Sequence, residues 1–237
     1  MRTKLILFFL LCHTAIYAQP FKFPELPEYG KSMDLLVPKN WKILDSVSGD
    51  LNNDNIKDIA FVIEFYRPVK ENRAYGDNET EIITETQKPR ILAVYFRRSA
   101  RGNYRLSVQN NNFILRSEEG GEMGDPLRPM NILANKLLLS FQGGGNWRWK
   151  LNYSFKYQDK DWLLTHANNY AYQETSGEMN DKQYDFENRK RTVISGKISS
   201  GTMANETFEQ TLDIKVPRTF NNFKKPWTWE IGKDEFL

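Results

Sequence analysis

The chain has 237 residues, of which 40% are hydrophobic and 27% charged, with a formal net charge of +3. That balance excludes a disordered tail, a collagen-like chain and a multi-span membrane protein, and the length suits one domain with a buried core. One Cys and two His almost exclude a disulfide framework or a Cys/His zinc site.

Residues 1–18 read as a secretory signal peptide. Arg2 and Lys4 supply the positive start, Leu5 to Cys12 the short apolar run, and Ala18 the small residue before cleavage. The run is too short to stop in a bilayer as a spanning helix. Lipidation at Cys12 is the lesser alternative, because the residue before it is Leu11 rather than a small one. Removing Arg2 and Lys4 lowers the net charge from +3 to +1, and the mature chain keeps His166 and no Cys. Near-neutral charge gives no reason to expect a nucleic-acid partner. No later segment is apolar and long enough to cross a membrane. The expected location is the periplasm or the medium.

Residues 19–40, with Pro20, Pro24, Pro27 and Pro38, read as an extended lead-in. Ile59 to Tyr66 is a nearly continuous β-branched and aromatic run, which suits a strand buried on both faces. Residues 67–89 are polar and read as a long loop or mobile hairpin without a core face. Strands follow at Arg90 to Arg97, at Tyr104 to Val108 after a turn at Ser99 to Asn103, and at Phe113 to Leu115. Residues 117–129 read as a Gly- and Pro-rich loop. Ile132 to Phe141 reads as a hairpin arm turning near Ala134 to Lys136, and Gly143 to Gly145 as a flexible connection.

From Trp147 to Tyr157 aromatic or apolar residues alternate strictly with polar ones, the period-two pattern of a strand with one buried face. Gln158 to Asp161 form a turn and Trp162 to His166 return. Further strands are expected at Arg191 to Ser199, at Gln210 to Val216 and within Pro226 to Leu237; Tyr172 to Asn188 reads as an irregular loop or short helix. No stretch has a sustained helical period with caps, and aromatics reach 14%, with Trp and Tyr prominent. The fold expected is all-β: antiparallel hairpins forming a sandwich, a barrel or a partial propeller-like sheet. Residues 45–116 would carry one sheet and 130–237 the remaining strands of a single domain over 19–237.

One segment carries chemistry. In Ser48 to Asp58 (SGDLNNDNIKD) the residues Asp50, Asn52, Asp54 and Asp58 stand at relative positions 1, 3, 5 and 9, with the Ile56 carbonyl at position 7. This spacing lets a short loop wrap oxygen ligands round a hard cation, whose charge would offset the repulsion among three carboxylates. Position 6 is Asn55 in place of the usual Gly; Asn tolerates a left-handed backbone better than most residues. Position 12 is Phe61 and a strand follows, so the loop is not an EF-hand. The same residues also suit an Asx-rich turn whose side chains bond their own backbone.

The loop resembles the calcium loop of FG-GAP and VCBS-type repeats, found in integrin α-chain propellers and secreted bacterial proteins, in running D-x-[DN]-x-[DN]-G-x-x-D directly into an apolar strand. The resemblance implies that Asp50, Asn52, Asp54, Asp58 and the Ile56 carbonyl bind a structural Ca²⁺. It also implies that the strands at 59–63, 90–96 and 104–108 belong to one blade-like unit. It covers about a quarter of the chain, and a single loop does not make a closed propeller.

Other candidates read as structure. His166 suits a packed or half-exposed strand position; without a G-x-S-x-G elbow or a mature thiol, no triad is indicated. Glu118, Glu119, Glu122 and Asp125 would form a solvated acidic loop, with paired-carboxylate hydrolysis as the sharper alternative. Gly143 to Gly145 lacks the Lys and helix of a phosphate loop. The aromatic stripe from Trp147 could stack on sugars or bases if exposed, but is expected in the core. Asn78, Asn152 and Asn205 head glycosylation sequons, a pattern frequent by chance. The function expected is a non-catalytic binding module with one Ca²⁺ loop and a protein or glycan partner, working through the loops 67–89 and 117–129. An extracellular hydrolase or an inhibitor/immunity-type protein is the alternative.

Overall fold

The computed structural model describes residues 21–74, 82–198, 205–233 and 235–237. The expected signal peptide, Cys12, Ala18 and the sequon at Asn78 lie outside them. The fold is almost wholly β, as expected. The strands are β1 (Tyr29–Gly30), β2 (Trp41–Gly49), β3 (Asp58–Phe65), β4 (Val69–Ala74), β5 (Ile82–Gln87), β6 (Arg90–Arg97), β7 (Tyr104–Asn110) and β8 (Leu127–Leu133). They continue with β9 (Lys136–Gly144), β10 (Trp147–Gln158), β11 (Asp161–Gln173), β12 (Glu178–Asp185), β13 (Lys190–Lys197), β14 (Glu206–Thr211), β15 (Glu230–Gly232) and β16 (Glu235–Phe236).

A five-stranded antiparallel sheet runs β1-β7-β6-β3-β2, and a seven-stranded one runs β14-β13-β12-β11-β10-β9-β8. Chain division matches sheet division: everything up to Asn110 that joins a large sheet joins the first, and everything from Leu127 to Thr211 the second. The hairpins β4–β5 and β15–β16 pair only within themselves. Of the three architectures the pattern allowed, the sandwich is the one formed. Ala60, Val62, Leu92 and Val94 from β3 and β6 pack in one cluster with Leu137, Leu139, Phe141, Leu151, Tyr153 and Phe155 from β9 and β10.

Strand β3 is buried on both faces because each face has its own cover. Its other face, Ile59, Phe61 and Ile63, packs with Ile91, Ala93 and Tyr95 against Leu26 and Leu36 of the lead-in. The lead-in is thus a lid on the five-stranded sheet. It is held by Tyr95 Oη donating to the Pro27 carbonyl (2.9 Å) and by Gln109 Nε2 donating to the Pro24 carbonyl (2.8 Å). Without a sheet partner of its own beyond the two residues of β1, it satisfies backbone groups through side chains.

In β10 the period-two pattern holds: Leu151, Tyr153 and Phe155 are buried, while Trp147 at the strand's start is 46% exposed. Two-residue turns with positive φ at Ala134 and Asn135, and at Asp159 and Lys160, close the β8–β9 and β10–β11 hairpins where expected.

Five expectations need correction. Tyr172 to Asn188 is neither loop nor helix; β11 runs to Gln173 and β12 fills 178–185, because its polar residues line the outer face of a sheet rather than a core. Phe113 to Leu115 is fully buried but not a strand, since side chains take its backbone groups: Asn110 Oδ1 accepts the Phe113 N–H (2.7 Å), Arg116 donates to the Ile114 carbonyl (2.6 Å) and Arg90 to the Leu115 carbonyl (2.7 Å). Gly143 and Gly144 are the end of β9, not a flexible link. Gly144 has φ 112, and a Cβ there would lie 2.0 Å from the Trp147 carbonyl oxygen, so only Gly fits. The last strand of the large sheet is Glu206–Thr211 rather than 210–216. The stretch 67–89, finally, is the β4–β5 hairpin and it does have an inner face, made of Glu71, Arg73 and Gln87 rather than apolar residues.

Candidate functional site

The Asx-rich loop joins β2 to β3, so the strand pairing that ends at Gly49↔Asp58 brings its ends together. Inside it, Asp50 Oδ1 accepts the N–H of Asn53 (2.8 Å) and Asp54 (3.2 Å), and Oδ2 that of Asn55 (2.8 Å). Asn52 Oδ1 accepts the Asp54 N–H (3.1 Å), and Asp54 Oδ1 that of Ile56 (2.8 Å). Asn53 and Asn55 sit at φ 64 and 63, the left-handed backbone that the sequence reading assigned to position 6.

Asp58 differs from the other three. It is fully buried, and its oxygens accept the N–H groups of Leu51 (2.9 Å) and Arg97 (2.9 Å). Burial pushes its carboxyl up to about 6, with Asp54 and Asp50 adding to the rise against the pull of the two N–H groups.

The donor chemistry suits a hard cation: all oxygen, with the Asp50 and Asp54 carboxylates near enough to raise the proton affinity of Asp58. The arrangement itself is an Asx turn closed on its own amides. Among the described residues no three His, Cys, Asp or Glu side chains come together to hold a metal ion.

The acidic loop is solvated at Glu118, Glu122 and Asp125, which are exposed, but not at Glu119. Glu119, in a 3₁₀ stretch (Ser117–Met123), turns inward with its side chain 11% exposed and accepts from Arg73 (2.7 Å), Lys225 (2.8 Å) and the Arg116 N–H (2.6 Å). Burial opposes its ionisation, but Arg73 and Lys225 outweigh that and hold the carboxyl at about 2. Arg90, fully buried, pairs with Glu64 (2.8 Å) and with Asp125. Burial works against the Asp125 carboxylate, yet its bonds from Arg90 keep it below the ordinary range. Arg116, also fully buried, pairs with Glu71 (2.7 Å); burial and the neighbouring Arg73 lower its guanidinium to about 10. The cluster ties the β4–β5 hairpin, the 3₁₀ stretch and the C-terminal segment to the sandwich. Sequence reading missed it, although Glu64 inside the apolar run of β3 was a signal: a charge in a doubly buried strand requires a buried partner.

The outer face of the seven-stranded sheet is the second candidate. Register places Ser140, Asn152, Asn168, Gln183 and Thr192 in one row across β9 to β13. Ser140 Oγ donates to Asn152 Oδ1 (2.8 Å), Asn152 Nδ2 to Asn168 Oδ1 (3.1 Å), Asn168 Nδ2 to Asp181, and Gln183 Nε2 to Asp181 Oδ2 (2.7 Å). The row forms one side of an open trough of about 490 Å³. His166 lies in the adjacent row, its side chain 40% exposed, with Nε2 3.6 Å from Asp185 and Nδ1 3.8 Å from Glu187. The half-exposed reading of His166 holds, and its side chain lies on the opposite face from the buried Trp162 and Leu164. A bulge opposite Ser154/Phe155 leaves Thr165 inside and turns His166 outward.

Trp149 packs edge-on against Trp227 (4.8 Å between ring centres), so the aromatic stripe is engaged with the core except at Trp147. Among the described residues no helix is long and apolar enough to cross a membrane. Comparison with protein-family models, curated proteins and solved structures finds no match to this chain. The likeness of the Asp50–Asp58 loop to FG-GAP and VCBS loops therefore rests on its residues alone.

Proposed function

We propose that the chain is a secreted or periplasmic, non-catalytic β-sandwich that binds a protein or glycan partner and carries one structural Ca²⁺ loop. The observation that carries the binding reading is the outer face of the seven-stranded sheet, where side chains from four strands are locked into one hydrogen-bonded row. Side chains fixed before binding lose little entropy on binding. That surface replaces the loops 67–89 and 117–129 as the working face, since Glu71, Arg73 and Glu119 on those loops are committed to buried ion pairs.

The same ion pairs remove Glu119 and Asp125 from the hydrolase alternative, which then rests on the exposed Glu118 and Glu122. A glycosidase needs one carboxyl with a raised pKa as general acid; Glu119 and Asp125 are both held ionised.

In the calcium part of the reading, Asp50, Asn52, Asp54 and Asp58 with the Ile56 carbonyl would hold the ion, which would supply the positive charge that three neighbouring carboxylates lack. At free Ca²⁺ ten times Kd, binding stabilises the fold by about 1.4 kcal/mol. The test is a thermal melt of the mature chain in EDTA and over a calcium series, with Mg²⁺ as comparison. A Tm that rises with Ca²⁺ more than with Mg²⁺, and no longer does so in Asp54→Ala, supports the loop. An unchanged Tm leaves it an ordinary Asx turn and removes the metal from the reading.

A further inference from the structure

We propose that the trough on the outer face of the seven-stranded sheet binds a neutral oligosaccharide. This rests on the binding-module reading above and names its ligand class. The volume, about 490 Å³, lies within the roughly 300–1,000 Å³ of small-ligand sites, and the chemistry of its walls selects among ligands.

Sugar hydroxyls both donate and accept, so they are matched by amides that offer both functions side by side. The row provides these in ordered form. Asn152 uses one of its two Nδ2 hydrogens on Asn168 and keeps the other, and Gln183 spends one Nε2 hydrogen on Asp181 while its Oε1 has no partner among the described residues. Asp181, bonded by both neighbours, is the acceptor that fixes their rotamers.

Charge points the same way. The trough is lined by Asp181 and Asp185 against Lys190, and the neighbouring Lys136 is already paired with Glu187 (2.7 Å). Within the trough's lining such a balance offers a polyanion no net attraction, and the outward Lys150 and Lys156 of β10 lie outside that lining.

An apolar anchor of a protein partner finds no pocket either, because the apolar residues of β10 and β11 (Leu151, Tyr153, Phe155, Trp162 and Leu164) all point to the other side. What the outer face does offer is a pair of rings. Tyr170 stands opposite Lys150 and Asp181, one row from Asn168, and Tyr172 lies beyond it, with ring centres 5.7 Å apart. The half-buried rings, tilted 40° to each other and next to the trough rather than in its lining, each offer a face for the C–H side of a pyranose unit that extends from the fixed amides.

The experiment is a titration of the ¹⁵N-labelled mature chain with neutral oligosaccharides of two to six units, built on glucose, mannose, xylose or N-acetylglucosamine. Sulfated and uronic-acid oligomers serve as charged comparisons. Expected is saturable binding of at least one neutral oligomer, with shifts confined to β10–β13, insensitive to salt, and weakened tenfold or more in Asn152→Ala and Gln183→Ala. Both residues are exposed, so these variants keep the fold. Arg101→Ala, in the β6–β7 turn, leaves binding unchanged.

The inference is overturned if no neutral oligomer binds, if only charged oligomers bind, or if binding survives both row variants. A purified protein partner whose binding is lost in Asn152→Ala and Gln183→Ala, in a chain that takes no sugar, overturns the ligand class while leaving the binding-module reading in place. If neither sugar nor protein engages this face, both fail.

Discussion

Glu119→Gln tests the ionic cluster most directly. The side chain is 11% exposed and its carboxylate faces Arg73, 1% exposed, and Lys225, 9% exposed. Gln keeps the shape and an acceptor for the Arg116 N–H but removes the charge that both cations use. Two routes give the magnitude. Breaking a buried ion pair by deleting one partner costs about 3–5 kcal/mol. A carboxyl held at about 2 in the folded chain against an ordinary 4.5 corresponds to about 3 kcal/mol.

The sign follows from a depressed folded-state pKa. The contribution is complete above about pH 5 and fades as pH falls through the folded value of about 2. Urea melts of wild type and Glu119→Gln are therefore expected to differ by about 3 kcal/mol at pH 7 and by less than about 1 kcal/mol at pH 2.5. Other carboxylates titrate equally in both chains and cancel. A difference that stays constant down to pH 2.5 would show that shape, not charge, holds Glu119. A difference below about 0.5 kcal/mol at pH 7 would refute the cluster as a stabilising tie.

Three further outcomes are expected. Phe113→Ala should cost about 3–5 kcal/mol in chemical denaturation, since this buried ring touches Tyr153, Phe155, Phe220 and Phe223 at centroid distances of 5.2 to 5.6 Å; a loss under about 1 kcal/mol would mean that the core refills easily. Gly144→Ala should destabilise by more than about 3 kcal/mol, because the added Cβ meets backbone at 2.0 Å on top of a φ of 112, whereas Gly124→Ala, with nothing within 4 Å but a glycine-type backbone of φ 72 and ψ −142, should cost about 1–3 kcal/mol of backbone strain alone. Asp58→Ala should lose about 2–4 kcal/mol even in EDTA, since it strands the Leu51 and Arg97 N–H groups in a buried position. An Asp58→Ala chain of wild-type stability in EDTA would show that water replaces the carboxylate.

How much was legible depended on what each residue answers to. Strand β10 was readable because its period-two alternation is local and one face meets a core. The Asp50–Asn55 turn was readable because Asx side chains bond amides a few residues away in sequence. Phe113 to Leu115 reads as a strand because its apolar character signals burial, while its backbone is taken by side chains: the near neighbours Asn110 and Arg116, and Arg90, twenty-five residues back, which no local pattern reveals. The β4–β5 hairpin was read as coreless for the converse reason: Glu71 and Arg73 look solvent-directed until Arg116 and Glu119, more than forty residues on, supply the opposite charges.

The sequence by itself determined the all-β class, the hairpin turns, the doubly buried β3 and the inward face of β10, because hydrophobic period and turn chemistry act over a few residues. Tertiary structure alone decided which sheet β3 faces on each side and that the lead-in is a lid. It also decided that Glu119 is an inward-facing counter-ion rather than a surface acid. The one-residue bulge at Thr165 turned His166 outward, and the joining of Asn152, Asn168 and Gln183 into one row needed the register of three strands. Each of these depends on residues brought together from distant parts of the chain, where charge pairing and register are settled only once the sheets have packed.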